Sequence, residues 1–256
     1  FSSCWRSVGL GYRIRLMKRF FALLGIALFL FAAATPARWG PSGMVASDHP
    51  LSSKAGAEIL EQGGNAVDAA VATALAAGVV QPSSSGLGGG GFAVYGTSPE
   101  SMRCLDFREV APAAAHPDLF LDDQGDVVEG ASTKGGLAVG VPGEGRGLAE
   151  LLRSHGTLSF REVAAPAIHF AKEGFVPGEF LLKAFERRPM ASLFLEPTLQ
   201  RGARAHRPRL AKTLRAWARS EGEALYSGPI AADVVDAVQR SGGVLSLEDL
   251  DAYRPK

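Results

Sequence analysis

The chain has 256 residues, of which 46% are hydrophobic and 21% are charged, and its formal net charge is +1. This length and this apolar content suffice for a substantial buried core and exclude wholesale disorder. A charge so close to zero gives no reason to expect a nucleic-acid partner.

The first part of the chain has the pattern of a secretory signal peptide. Residues 1–37 contain five basic residues and no acidic one, and residues 20–34 (FFALLGIALFLFAAA) form an apolar run that ends in small residues. This order of basic, apolar and small residues predicts a cleaved signal and therefore a periplasmic or secreted protein. A transmembrane anchor is the alternative. However, an apolar helix of this length measures about 22 Å, which is short of the roughly 30 Å hydrocarbon core, so we expect no stable membrane span.

These features divide the chain into residues 1–37, which are upstream residues and signal peptide, and residues 38–256, which form the soluble part. Met17 is the natural start, so residues 1–16 are interpreted as upstream sequence. The soluble part is mildly acidic, with 22 basic and 26 acidic residues.

The first elements of the soluble part alternate between short apolar stretches and helices. Residues 44–47 are predicted to be a short strand or loop, and Asp48 precedes a helix at about residues 51–62. Asn65 is a good N-cap for a second helix over residues 66–77, with Asp68 at the capping-box position and a helix end at Gly78. This second helix consists almost entirely of Ala and Val, which predicts that it is buried.

A β-hairpin and a series of helices are predicted after the glycine-rich residues 81–92. The strands of the hairpin are residues 92–95 and 102–107, followed by loops over residues 111–135 and a short strand at residues 138–141. The predicted helices then cover residues 145–155, 159–173, 180–187, 209–220 and 231–241. Ser246 and Asp249 indicate the cap of one more helix, which is expected to have barely started at Lys256.

Neither metal nor cofactor chemistry is indicated. The chain has two cysteines, Cys4 and Cys104, and its five histidines are scattered without metal-ligand spacing, so we expect no zinc. Residues 86–91 (GLGGGG) match G-x-G-x-x-G, but the preceding strand and following helix of a dinucleotide site are missing, so no NAD is expected. Close packing between layers is the alternative interpretation of these glycines. The residues alone reveal no catalytic constellation, and residues 83–85 lack the serine nucleophile motif.

Arg108 is the one charged residue that stands out as a candidate binding residue. It lies at the end of the second predicted hairpin strand, beside the glycine-rich segment, where a guanidinium can hold a carboxylate with two hydrogen bonds. An internal ion pair with Glu109 or Asp106 is the alternative. On the residues alone the ion pair is favoured, because such pairs are more common than ligand sites.

Seven stretches of the chain together resemble the γ-glutamyltransferase (γ-glutamyltranspeptidase) family. The most specific are GGNAVDAA within residues 44–82 and SSGLGGGGF within residues 84–95. The others are residues 105–115 (LDFREVAPAAA), 135–148 (GGLAVGVPGEGRGL), 166–175, 207–215 and 242–253. They occur in the family's order, from about Met44 to the last residue.

The resemblance implies an α+β protein of the N-terminal nucleophile hydrolase type, an α-β-β-α sandwich that is incomplete here. Family members are exported precursors that cleave themselves into a large and a small subunit, and they have no cofactor. A threonine exposed by that cleavage takes the γ-glutamyl group of glutathione or related γ-glutamyl compounds and passes it to water or an amino acid. The arginine of the family's FRE motif binds the substrate's α-carboxylate, and Arg108 occupies that position.

The resemblance also implies that the chain is the N-terminal part of the large subunit and lacks the nucleophile. We therefore assign no catalytic residue within the chain, and we expect the small subunit of the same precursor as its partner. The first alternative is a cephalosporin (glutaryl) acylase, which resembles the transferases closely through this half. The second is a catalytically inactive fragment that acts as a binding or scaffold protein.

Overall fold

A computed structural model of the chain describes residues 38–40, 43–187, 199 and 201–256. The predicted signal peptide lies outside the described residues. The chain order of the described elements begins with two short antiparallel strands, β1 (Arg38–Gly40) and β2 (Gly43–Val45), in which Arg38 pairs with Val45. The second of these strands agrees with the strand or loop predicted at residues 44–47.

Helix α1 (Pro50–Glu61) follows the first hairpin and is capped by a histidine. The Nδ1 atom of His49 accepts a hydrogen bond of 3.1 Å from the backbone N–H of Leu51. Burial lowers the pKa of His49, which favours the neutral ring that this acceptor role requires. Asp48 lies one position too early to fill this role, although the helix itself was predicted.

Helix α2 (Ala66–Val80) begins with the capping box predicted at Asn65 and Asp68. The Asn65 side chain accepts from the N–H groups of Val67 and Asp68, and the Asp68 carboxylate accepts from the N–H of Asn65. As predicted, the helix is largely buried. The expected end at Gly78 is wrong, because the helix continues to Val80 with Gly78 inside it.

The predicted second hairpin is confirmed. Strands β3 (Phe92–Tyr95) and β4 (Arg103–Asp106) are antiparallel, and Phe92 pairs with Asp106. Residues 111–135 contain no helix or strand in the described structure. The strand predicted at residues 138–141 is not formed; a 3₁₀ turn occupies Gly136–Ala138, and Val141 makes only an isolated bridge to Val110.

Six further helices complete the described part of the chain. They are α3 (Glu144–His155), α4 (Phe160–Glu173), α5 (Glu179–Glu186), α6 (Pro208–Arg219), α7 (Gly228–Arg240) and α8 (Leu247–Ala252). The predicted cap of α8 is confirmed, since Ser246 and Asp249 form a capping box. This helix ends at Ala252 instead of continuing to the last residue.

The core lies between the long helices, where α2 packs against α1 and α4, and α4 packs against α6. Its largest fully buried side chains are Trp217, Tyr226 and Phe175. The described residues thus form a mixed arrangement of helices and strands, as the sequence predicted. Their strands make two two-stranded sheets, so the four-layer sandwich remains a prediction. In this described part of the chain, no helix combines the length and the hydropathy needed to cross a membrane.

Candidate functional site

The glycine-rich residues 86–91 lie between the end of α2 and the end of β4. Gly91 and Phe107 exchange two backbone hydrogen bonds, of 3.2 and 2.9 Å, which continue the β3–β4 ladder by one pair. A methyl group at Gly90 would collide with the carbonyl oxygen of Phe107, and one at Gly78 would lie 2.8 Å from the Cα atom of Gly86. Close packing of backbone on backbone therefore accounts for the glycines at positions 78 and 90.

The start of α3 fixes the middle of the glycine-rich segment. The backbone N–H groups of Gly143 and Glu144 both donate to the carbonyl oxygen of Gly89, at 2.8 and 2.9 Å. These are orphan N–H groups of a helix N-terminus, which need an acceptor from outside the helix. The glycine-rich segment is thus held on one side by β4 and on the other by α3.

A cleft of about 670 Å³ opens over this segment. Its polar wall combines backbone and side chains from four separate parts of the chain. Besides the serines 83–85 and the glycines 86 and 88–90, its lining residues include Arg108, Glu109, Glu144, Arg207 and Thr213. A volume of this order is typical of small-molecule sites.

Arg108 lies on the wall of the cleft, two residues after the end of β4. Its backbone N–H donates to the Asp106 carboxylate at 2.9 Å, which fixes the turn out of the strand. Its Nε atom lies 3.5 Å from Glu109 Oε2, so the ion pair considered from the sequence is present. The Arg108 side chain is nevertheless 58% exposed, and that Glu109 oxygen has no hydrogen-bond partner. A contact so long and so exposed is weak, which leaves the guanidinium able to bind an incoming carboxylate.

Glu144 is the buried acid of the cleft. It is only 7% exposed, and its Oε1 atom has no hydrogen-bond partner among the described residues. Burial raises the pKa of Glu144 to about 7; a hydrogen bond from the Gly86 backbone opposes this rise, and the charge of Glu109 adds to it. Near neutral pH, Glu144 can therefore act as a hydrogen-bond donor or acceptor.

Arg207 is the second arginine of the cleft, and it caps a helix. Its Nη1 atom donates to the carbonyl oxygens of Gly78 and Val79, at 2.6 and 3.1 Å, at the C-terminal end of α2. Burial lowers the pKa of Arg207 to about 10, which still leaves it charged at neutral pH. Its bonds to α2 and its place before α6 give it a structural role that Arg108 does not have.

The cleft brings together residues that the sequence predicted and residues that it did not. Arg108 and the glycine-rich segment were both singled out and lie on the same wall. Glu144 and Arg207 were not assigned a role, although both lie in stretches that resemble the family pattern (residues 135–148 and 207–215). Only the fold brings these two residues into the same cleft as Arg108, because Glu144 begins α3 and Arg207 precedes α6, both far from Arg108 in sequence.

The polar groups of the cleft are of the kinds that bind a small polar ligand. Arg108 offers an exposed guanidinium for a carboxylate, and Glu109 and Glu144 each have an oxygen that accepts no hydrogen bond and can bond an N–H group. Within the described part of the chain, no cluster of three or more His, Cys, Asp or Glu side chains could hold a metal ion.

A family model described as gamma-glutamyltranspeptidase matches residues 52–256. The glutathione hydrolase proenzyme of Pseudomonas sp. (strain A14) is 38% identical over 245 residues, covering 91% of this chain and 43% of that protein. The corresponding proenzyme of Bacillus subtilis (strain 168) is 42% identical over 84% of this chain and 38% of its own length. The chain therefore spans less than half the length of these relatives.

A solved structure of Helicobacter pylori gamma-glutamyltranspeptidase is also similar to the chain. It superposes with a TM-score of 0.81 at 35% identity, covering 86% of this chain and 66% of that one.

Proposed function

The chain belongs to the γ-glutamyltranspeptidase family, and we propose that it is the N-terminal part of the large subunit of an exported γ-glutamyltransferase precursor. The complete enzyme transfers the γ-glutamyl group of glutathione or related amides to water or to an amino acid. The threonine nucleophile belongs to the small subunit and is not part of this chain. The contribution of this chain is to bind and orient the γ-glutamyl donor.

The observation that carries this proposal is the exposed guanidinium of Arg108 at the edge of the cleft. The γ-glutamyl group keeps a free α-carboxylate, and a planar guanidinium can hold that carboxylate with two parallel hydrogen bonds. The rigid frame of β4 and the glycine-rich segment would orient the bound donor. Orientation of this kind lowers the barrier of a group transfer because less freedom is lost in the reaction.

The test is Arg108→Lys in the complete precursor that carries this chain. Lysine keeps the charge but loses the planar fork, so we expect KM for γ-glutamyl donors to rise by at least about tenfold. Self-cleavage into two subunits should remain, because that step needs no γ-glutamyl donor. Unchanged donor kinetics in a folded and processed variant would reduce Arg108 to a partner of Glu109 in a structural ion pair.

The proposed fold of the complete enzyme is the α-β-β-α sandwich, with the small subunit as the partner of this chain. Two observations support this partner. Phe92 and Val94 in β3 are 60% and 67% exposed, although strand residues of this kind usually pack against other elements. In addition, the proenzymes that resemble the chain are more than twice as long as the part that matches it.

A related acylase is the second candidate function. A solved cephalosporin acylase from Bacillus halodurans superposes with a TM-score of 0.75 at 31% identity and covers 88% of this chain. An acylase whose acyl group also ends in a carboxylate would use the same clamp, so Arg108→Lys would not separate the two. Turnover of glutathione compared with a glutaryl amide, whose acyl group lacks the α-amino group, would separate them.

Export is the remaining part of the proposal. The basic and apolar pattern of residues 1–37 supports a signal peptide that is cleaved between about Ala34 and Ala37. Mass spectrometry of the mature enzyme should then give an N-terminus near Thr35 or Arg38. A mature protein that retains residues 20–31 in the membrane fraction would favour the anchor.

A further inference from the structure

The last described residues of the chain form a brace against the backbone at Arg108. The main chain of Lys256 exchanges two hydrogen bonds with that of Asp106, at 2.7 and 2.8 Å, so Lys256 lies beside the end of β4. The hydroxyl of Tyr253 donates to the carbonyl oxygen of Arg108 at 3.0 Å. This bond joins positions 145 residues apart in the sequence.

Tyr253 is itself held rigidly. It is 5% exposed, and its ring stacks on that of Tyr226 with centroids 6.0 Å apart and planes at 16°. Its carbonyl oxygen accepts a hydrogen bond of 2.6 Å from the buried guanidinium of Arg146. A methyl group at Gly143 would collide with the Tyr253 hydroxyl, so the absence of a side chain there makes room for this contact.

The protonation of Tyr253 fits a role as hydrogen-bond donor. Burial, together with the negative charges of Asp106 and Glu109, raises the pKa of Tyr253 to about 12. The hydroxyl therefore keeps its proton at any physiological pH. Since a carbonyl oxygen can only accept, the Tyr253 hydroxyl must donate in this contact.

We propose that Tyr253 is a positioning residue for the γ-glutamyl donor, because its hydroxyl fixes the main chain from which the Arg108 side chain extends. The inference rests on the proposed function of Arg108 as the carboxylate clamp. Arg108 has an exposed side chain with one weak ion pair, so its direction depends on its backbone more than on side-chain packing. A bidentate pair requires a narrow range of orientations, and a small rotation at Arg108 weakens it.

The experiment is Tyr253→Phe in the complete precursor that carries this chain, with γ-glutamyl anilide kinetics as the readout. Phenylalanine keeps the stacked ring and removes only the hydrogen bond to Arg108. We expect KM for the donor to rise about fivefold, which is the size expected for one hydrogen bond, while kcat changes by less than about twofold. Self-cleavage should remain complete.

Tyr226→Phe is the matched control. Tyr226 is also buried, at 1% exposed, but its hydroxyl bonds the backbone N–H of Arg146 at 3.0 Å, whereas the Tyr253 hydroxyl bonds the backbone of Arg108. A comparable loss of stability is therefore expected from both variants, as measured by urea unfolding, whereas only Tyr253→Phe should raise KM. An equal rise of KM in both variants would mean a general loosening of the fold and would overturn the inference.

A double-mutant cycle with Arg108→Lys separates the two proposals. If Tyr253 acts through Arg108, Tyr253→Phe should add little to the KM of Arg108→Lys, so the two effects are not additive. Additive effects, or an unchanged KM in Tyr253→Phe while Arg108→Lys raises it, would overturn the positioning role and leave the clamp in place. If Arg108→Lys itself leaves KM unchanged, the clamp fails and the positioning role fails with it.

Discussion

Replacing Arg146 by methionine should be among the most destabilising single changes in the described part of the chain. The Arg146 side chain is 7% exposed, and its guanidinium lies 4.2 Å from the ring centroid of Tyr226. Nη1 donates to the carbonyl oxygens of Leu250, Asp251 and Tyr253, and Nη2 donates to the Glu223 carboxylate at 2.8 Å. One side chain thus joins α3, the turn before α7 and the end of α8.

The magnitude follows from what the substitution leaves behind. Methionine fills much of the volume but donates no hydrogen bond, so three carbonyl oxygens at the end of α8 lose their shared donor. The Glu223 carboxylate is 46% exposed, so water can replace its bond to Arg146, and the cost comes mainly from the carbonyl oxygens. Each buried acceptor left unpaired costs about 1–3 kcal/mol, so we expect the free energy of unfolding to fall by about 3–5 kcal/mol.

Urea unfolding followed by tryptophan fluorescence measures this change. Trp217 is fully buried, and its Nε1 atom donates to the carbonyl oxygen of Gly145 at 2.9 Å, so it reports on the region beside Arg146. Arg153→Met is the matched control, because Arg153 lies on the same helix with a side chain 46% exposed. It should cost at most about 1 kcal/mol. Equal losses in the two variants would refute the reasoning.

Two further predictions concern the cleft. Gly90→Ala should lower the free energy of unfolding by about 1–3 kcal/mol, because the added methyl group meets the backbone of residues 107–109. A methyl group at Gly88 meets nothing within 4 Å, so Gly88→Ala should change the free energy of unfolding by at most about 0.5 kcal/mol. Similar urea midpoints for the two variants would contradict this packing. Glu144 should make the parent less stable as the pH rises. Its native pKa of about 7 lies above the ordinary value of 4.5, so the folded state binds more protons between these values. The stability that Glu144 contributes is thus fully present below pH 4.5 and is lost as the pH rises through 7. Relative to Glu144→Gln, the parent should lose up to about 1.4 kcal/mol per pH unit in this range, and parallel pH profiles would contradict the raised pKa.

Local patterns predicted the elements whose ends are determined locally. The capping boxes at Asn65 and Ser246 were recognised because each uses a side chain and a backbone group three residues apart. The β3–β4 hairpin was predicted from two apolar runs around a short turn. In each case, the groups that fix the structure are neighbours in the sequence.

Contacts distant in sequence explain the predictions that were wrong. Gly78 was expected to end α2, but the helix continues to Val80. Gly86 packs against Gly78, and Arg207 donates hydrogen bonds to the carbonyl oxygens of Gly78 and Val79 at the end of the helix. Residues 138–141 have the composition of a strand, but in the described structure Val141 finds only Val110 as a bridge partner. Neither contact could be read from a local pattern.

Of the candidate site, the sequence could indicate Arg108 but not the residues that only the fold brings into the same cleft. Arg108 could be singled out from its position at the end of a strand and from the resemblance of the surrounding stretch. Both alternatives for it had a physical basis, and the structure contains the ion pair with Glu109 while leaving most of the guanidinium exposed. Glu144 could not be found from the sequence, since its significance depends on burial beside a segment more than 50 residues away.

The most direct test of the proposed function compares two donors in the complete precursor and in its Arg108→Lys variant. The first donor is a γ-glutamyl amide, and the second is the same amide without the α-carboxylate. We expect Arg108→Lys to lower kcat/KM at least about tenfold for the first donor and to leave the second within about twofold. An equal effect on both donors, or no effect on either in a folded and processed enzyme, would contradict the assignment of Arg108 as the carboxylate clamp.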